Sequence, residues 1–180
     1  MSEINGGGKK MSPFEMTEEF HQTFDPTRPE QPRPFTPEKA SFRAGFKVEE
    51  LVEFLYAAAN NDPEQFAQSV ADLHQGIEQA KEKITSKQKP VTDTLVEQVD
   101  ALCDLLYFTY GSFSLLGVDP APILKIVHEA NMGKLFPDGM PHYHPVTHKV
   151  MKPADWEERF APEPRIKAEI ERQIVAKMKS

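Results

Sequence analysis

Residues 100–118, DALCDLLYFTYGSFSLLGV, constrain this chain more than any other stretch, because a helix built from them is apolar on nearly every side. Such a helix is stable in only three settings: inside a core, across a bilayer, or against another chain. A membrane span fits poorly. The run includes Asp104, Thr109, Ser112, Ser114 and two glycines, and its flanks are Asp100 and Asp119 where a cytoplasmic side would carry Lys or Arg. A buried core helix is the expectation, with assembly into oligomers as the second use of so much apolar surface. Asp104 is then an anomaly, a carboxylate threaded into the most apolar part of the chain.

A second run raises the same question. FKVEELVEFL, residues 46–55, sets Glu49, Glu50 and Glu53 within an apolar helical pattern. At about 100° per residue, Glu49 and Glu53 lie roughly 40° apart and Glu50 and Glu53 roughly 60° apart. Asp100 and Asp104 are also roughly 40° apart on their helix, with Glu97 one turn further along that face. Like charges so placed repel and lose hydration unless something positive neutralises them. Local cations are scarce: between Arg43 and Lys81 there is only Lys47, and between Lys89 and Lys125 there is none. Two readings stand open on spacing alone. Either the acids form solvated faces with local pairing, or they ligate a divalent cation, and an all-carboxylate set suits Mg²⁺ first and Mn²⁺ second.

The remaining punctuation is helical. Thr36-Pro37, Asp62-Pro63 and Asp119-Pro120 each pair an N-cap residue with proline in the first helical position. They predict helices over about 36–60, 62–85 and 119–133, with further ones over 14–24 and 90–117. Residues 25–37, DPTRPEQPRPFTP, are too proline-rich for helix and form an extended arm. Residues 135–153 hold a Pro-Asp-Gly turn and a small hairpin or ordered loop. Ile166, Ile170 and Ile174 make a narrow stripe suited to docking the last helix on a neighbour. The expected fold is all-α: a flexible tail over 1–12, one helical domain over 13–160, and a C-terminal helix over 161–180.

A net charge of −7 argues against a general nucleic-acid grip. The single cysteine, Cys103, excludes an internal disulfide framework and suits a reducing, cytoplasmic compartment; it is expected to be buried as a small hydrophobe. The first residues show no apolar segment of the signal-peptide kind. His142, His144 and His148 lack the thiolates that structural zinc usually adds, and Glu18 with His21 is one ExxH where a di-iron bundle needs two.

Taken together, EELVE, then CDLLYFTYGSFSLLGVDPAPILKIVHEANMGK, then Lys152, Pro153 and Trp156 resemble the MazG-like and phosphoribosyl-ATP-pyrophosphohydrolase-like branch of the all-α nucleoside triphosphate pyrophosphohydrolases. The resemblance covers about Phe14 to Trp156. It implies a Mg²⁺-dependent enzyme that cleaves a nucleoside triphosphate to the monophosphate and pyrophosphate, working as a homodimer or higher homo-oligomer whose site borrows residues from a second subunit. By position, the family's EExxE falls on Glu49, Glu50 and Glu53, and its aspartate on Asp104. The family's second glutamate would fall on Ala101, where this chain departs; Asp100 reaches the same face from one residue earlier, whereas Glu97 would need a shifted register. The resemblance thus implies Glu50, Glu53, Asp100 and Asp104 as metal ligands and Glu49 as the residue that orients or deprotonates the attacking water. Asn131 and Lys134 match the family's substrate-contacting pair, and Lys152 is expected to close over the same phosphates. Two alternatives accompany this reading: a phosphoribosyl-ATP-like substrate, or a non-catalytic helical interaction module, which the Ala101 departure keeps in view.

Overall fold

A computed structural model describes residues 11–179; most of the expected tail therefore lies outside the described residues. Among the described residues seven helices follow in chain order: α1 (Pro13–Phe24), α2 (Pro37–Ala58), α3 (Pro63–Ser86), α4 (Thr94–Leu116), α5 (Pro120–Met132), α6 (Trp156–Phe160) and α7 (Glu163–Met178). Among the described residues the only β-type pairing is one bridge, Tyr143 with Val150, inside the loop where a hairpin was expected. The N-cap devices behave as their chemistry requires. Thr36 accepts from the Lys39 N–H, Asp62 from Glu64 and Gln65, and Asp119 from Ala121. No single helix among the described residues is long and apolar enough to cross a membrane.

The chain divides into two compact units, residues 11–28 with 105–179 and residues 29–104, with α4 running through the division. The first unit is organised around α5, which packs against α1 on one side and α7 on another. Met16 and Phe24 of α1 are buried, Phe20 stacks on Phe24 at 4.5 Å, and Glu19 meets His128 of α5 at 2.9 Å. The Tyr143 hydroxyl donates to the Phe24 carbonyl at 2.7 Å, tying the 135–153 loop to the end of α1. On the α7 side, buried Gln173 chelates the Asp119 peptide: it accepts from the Asp119 N–H at 2.8 Å and donates to the Asp119 carbonyl at 2.9 Å. Arg165 pairs with Glu129 near the other end of α5. Gly117, at φ +72°, terminates α4 in a conformation that L side chains rarely adopt.

The second unit holds the proline-rich arm, α2, α3 and the first half of α4. Asn60 and Asn61, both at positive φ, reverse the chain between α2 and α3, and Tyr56 meets Phe66 edge-on at 5.2 Å just beyond them. The arm is pinned to α4, because Gln98 accepts from the Phe35 N–H at 2.9 Å and donates to the Phe35 carbonyl at 3.1 Å. In this unit Ala59 is the only buried hydrophobic residue among those described.

That corrects the expectation of a buried α4. Residues 99–112 are all exposed in the single chain, Tyr107 at 78% and Phe108 at 72%. Cys103 is exposed too, not packed away. The physical reason is that, among the described residues, no other helix packs broadly over residues 99–112; apolarity raises the reward for coverage but does not supply the cover.

Candidate active site

The acids of the second unit sit where the helix geometry puts them. Glu49, Glu50 and Glu53 occupy the middle of α2, and Asp100 and Asp104 the middle of α4. All five are exposed. Among the described residues, no three His, Cys, Asp or Glu side chains stand close enough together to hold a metal ion. The donor set, carboxylates without thiolate or imidazole, fits a hard divalent cation in chemistry. One chain by itself does not draw that set together. The cations of α2 point to local roles: Arg43 lies over the Phe46 ring at 5.5 Å, and the Lys47 ammonium donates to the Arg43 carbonyl at 3.2 Å. Partial burial, and then Arg43 beside it, lowers the Lys47 pKa from its usual value.

The expected substrate contacts belong to the first unit. Asn131 and Lys134 flank the end of α5, and the Lys134 ammonium donates to Asn131 Oδ1 at 2.7 Å in a half-buried bond. Lys152 stands over the Trp156 ring at 3.8 Å from its centroid and pairs with Glu157 at 3.0 Å. The neighbouring histidines are used within the loop. His142 stacks on Phe136 at 3.9 Å and meets Asp138 at 2.7 Å, while His144 Nδ1 accepts from the N–H groups of Val146 and Thr147. The Met140 N–H, and after it His142, holds the Asp138 carboxyl below the usual carboxylate range.

The model of the phosphoribosyl-ATP pyrophosphohydrolase family matches residues 17–75 and 76–131, more than half of the chain and both acidic segments. The chain belongs to this family. The pyrophosphohydrolase also superposes on a crystal structure from Exiguobacterium sp. 255-15, of a protein proposed to be an NTP pyrophosphohydrolase, with a TM-score of 0.83 and 38% sequence identity. The alignment covers 94% of this chain and 99% of that one. No curated protein matches the chain significantly. The pyrophosphohydrolase is therefore an enzyme, a hydrolase with the all-α fold expected from its helix signals, and the reading as a non-catalytic module falls away.

The matched segments reach Asn131 and stop before Lys134, Lys152 and Trp156 of the pyrophosphohydrolase. Sequence reasoning named those lysines but missed what holds them. Trp156 donates its indole N–H to the Ala130 carbonyl at 2.9 Å, and Phe160 lies flat against Gly133. The available signal was a lone tryptophan and a phenylalanine one turn apart in an otherwise charged segment, ADWEERF. The Phe35–Gln98 clamp had no sequence signal, since either residue alone is unremarkable in its setting.

Proposed function

We propose that the protein hydrolyses a nucleoside triphosphate, NTP or dNTP, between its α- and β-phosphates, releasing the monophosphate and pyrophosphate, and that its site is completed between two copies of the chain. One observation carries this reading: among the described residues the acids of α2 and of α4 are exposed, on helices whose apolar side chains, including Phe54, Tyr56, Val99, Leu102 and Leu106, are exposed as well. Pairing α4 of one copy with α2 of another would cover both faces and bring the two acid sets together, with the homodimer as the smallest such assembly. Glu50, Glu53, Asp100 and Asp104 would hold the metal, Mg²⁺ by preference and Mn²⁺ as a substitute. When bound, the ion supplies charge neutralisation for a polyphosphate and a more acidic water.

The chain's own residues do the rest. Glu49, offset from the ligands on α2, accepts the proton of the attacking water or orients it. Lys134 and Lys152 meet phosphate oxygens as point charges, and Asn131 fixes the Lys134 ammonium. A triphosphate brings about four negative charges, which four carboxylates alone would repel; the divalent ion and the two lysines together offset the carboxylates and so remove that repulsion. A cytoplasmic location belongs to this reading, supported by a lone exposed thiol that suits a reducing compartment.

The family's description favours a second substrate, a phosphoribosyl-ATP-like nucleotide. Assaying pyrophosphate release from a panel of NTPs, dNTPs and phosphoribosyl-ATP, with Mg²⁺ and with EDTA, decides between them. The proposal expects Mg²⁺-dependent release from at least one triphosphate. Turnover of phosphoribosyl-ATP alone would move the substrate, and turnover undiminished in EDTA would remove the metal.

A further inference from the structure

The carbonyls of a helix's last turn have no donor within the helix, and a buried one must find a donor elsewhere. At the end of α5 the Ala130 carbonyl finds the Trp156 indole N–H, in a buried bond of 2.9 Å between two buried residues. Had α5 continued, the Lys134 N–H would have filled that place. Instead it turns to the Asn131 carbonyl at 3.1 Å, closing a tighter final turn.

The other side of the same turn is closed by Phe160. Gly133 has an ordinary helical φ of −63°, so its backbone does not demand glycine; the space does. A Cβ there would lie 2.4 Å from Phe160 Cγ. Trp156 and Phe160 are the two ends of α6, four residues apart and therefore on one face. Both press on the turn that carries Asn131 and Lys134. The Lys152 ammonium rests on the ring of the same Trp156. One indole thus holds the backbone beneath one candidate phosphate contact and seats the other.

We propose that α6 is a positioning clamp: Trp156 and Phe160, without touching substrate, fix the 131–134 turn and the seat of Lys152 so that both ammonium groups meet the phosphates in a set geometry. This rests on the reading of Asn131, Lys134 and Lys152 given under Proposed function. Preset charges bind an anion without the entropic cost of ordering it afterwards, so loosening the clamp should weaken substrate binding more than turnover.

The test is steady-state kinetics of the full-length enzyme with its preferred nucleotide and excess Mg²⁺. Trp156→Phe keeps a ring for Lys152 and removes the N–H, together with part of the buried indole volume. It is expected to raise KM about tenfold, the scale of one lost buried hydrogen bond, and to leave kcat within about twofold. Because it acts through Lys134, the double variant with Lys134→Ala should be no worse than Lys134→Ala alone. Phe160→Leu, a gentler change, should raise KM by a smaller factor and serves if the tryptophan variant folds poorly. Amide hydrogen exchange adds a readout independent of turnover: Lys134 and Leu135 should exchange faster in Trp156→Phe while the amides of α1 stay as they were. Wild-type KM together with wild-type exchange would overturn the clamp and leave the reaction standing, as would losses that multiply in the double variant. If the wild-type enzyme released pyrophosphate from no nucleotide at all, the reaction would fall, and the clamp's role in it with it.

Discussion

The two units of this enzyme bury their apolar side chains to different degrees. In the α5-centred unit, Met16, Phe24, Ile123, Ala130 and Trp156 are buried, and a polar residue, Gln173, is buried with its partners in place. In the unit 29–104 only Ala59 among the described hydrophobics is buried, while Phe42, Phe54, Tyr56, Val96 and Val99 stand in solvent. Each such side chain contributes roughly 1.5–3 kcal/mol when fully buried. Five of them amount to roughly 10 kcal/mol, on the scale of a whole domain's net stability. The difference teaches where the chemistry belongs. The packed core around α5 holds the candidate lysines, whereas the acids lie on α2 and α4, helices whose apolar side chains stay exposed, on α4 as far as Tyr107, Phe108 and Leu115 of the first unit.

If that contrast is right, charge placed on the uncovered face should have the largest effect. Leu102→Asp, in the exposed stretch of α4 between Asp100 and Asp104, should prevent the assembly, giving a smaller species in analytical ultracentrifugation and loss of pyrophosphate release. An unchanged species with unchanged activity would mean that this face has no partner. The matching change in the other unit is Ile123→Ala, at a buried position of α5. It should cost about 2–4 kcal/mol in urea unfolding at every protein concentration. The cost of a lesion on α4 should instead grow as dilution separates the copies.

The smallest effect sharpens the self-contained side. Hydrogen bonds from Arg172, then from Gln173, hold Glu169 down at about 2 from an ordinary 4.5. A depressed carboxyl stabilises the fold above its unfolded value, and that contribution fades as pH falls from about 4.5 towards 2. Glu169 is half-buried but its partner Arg172 is exposed, so solvent screens the pair and the gain is small. Glu169→Gln should lower the thermal midpoint slightly at pH 7 and flatten its decline below pH 4.5, measured by circular dichroism. A parent and variant with parallel acid limbs would show that Glu169 does not anchor α7.

Much of this architecture was legible in the chain because it is local. N-cap chemistry with proline placed α2, α3 and α5 to within a few residues, and Gly133 closed α5 where expected. The two acid faces were equally legible, being consequences of helical pitch. What failed was inference about burial. Apolarity around Cys103 says that water is unfavourable there; it does not say which chain removes the water. The clamp at the end of α5 was hidden for another reason: Trp156 and Ala130 lie far apart in sequence, and a side chain capping a distant carbonyl leaves no periodic trace.

Mixing two dead variants tests the central claim most directly. Glu53→Gln removes a proposed ligand from α2 and Asp104→Asn removes one from α4; each alone should lose at least about a thousandfold in kcat. If α2 of one copy works with α4 of another, co-refolding the two variants leaves one intact site in each mixed pair. Random pairing should then restore about a quarter of wild-type activity. A mixture as inactive as its components would place both acid sets of a site on one chain and contradict the account.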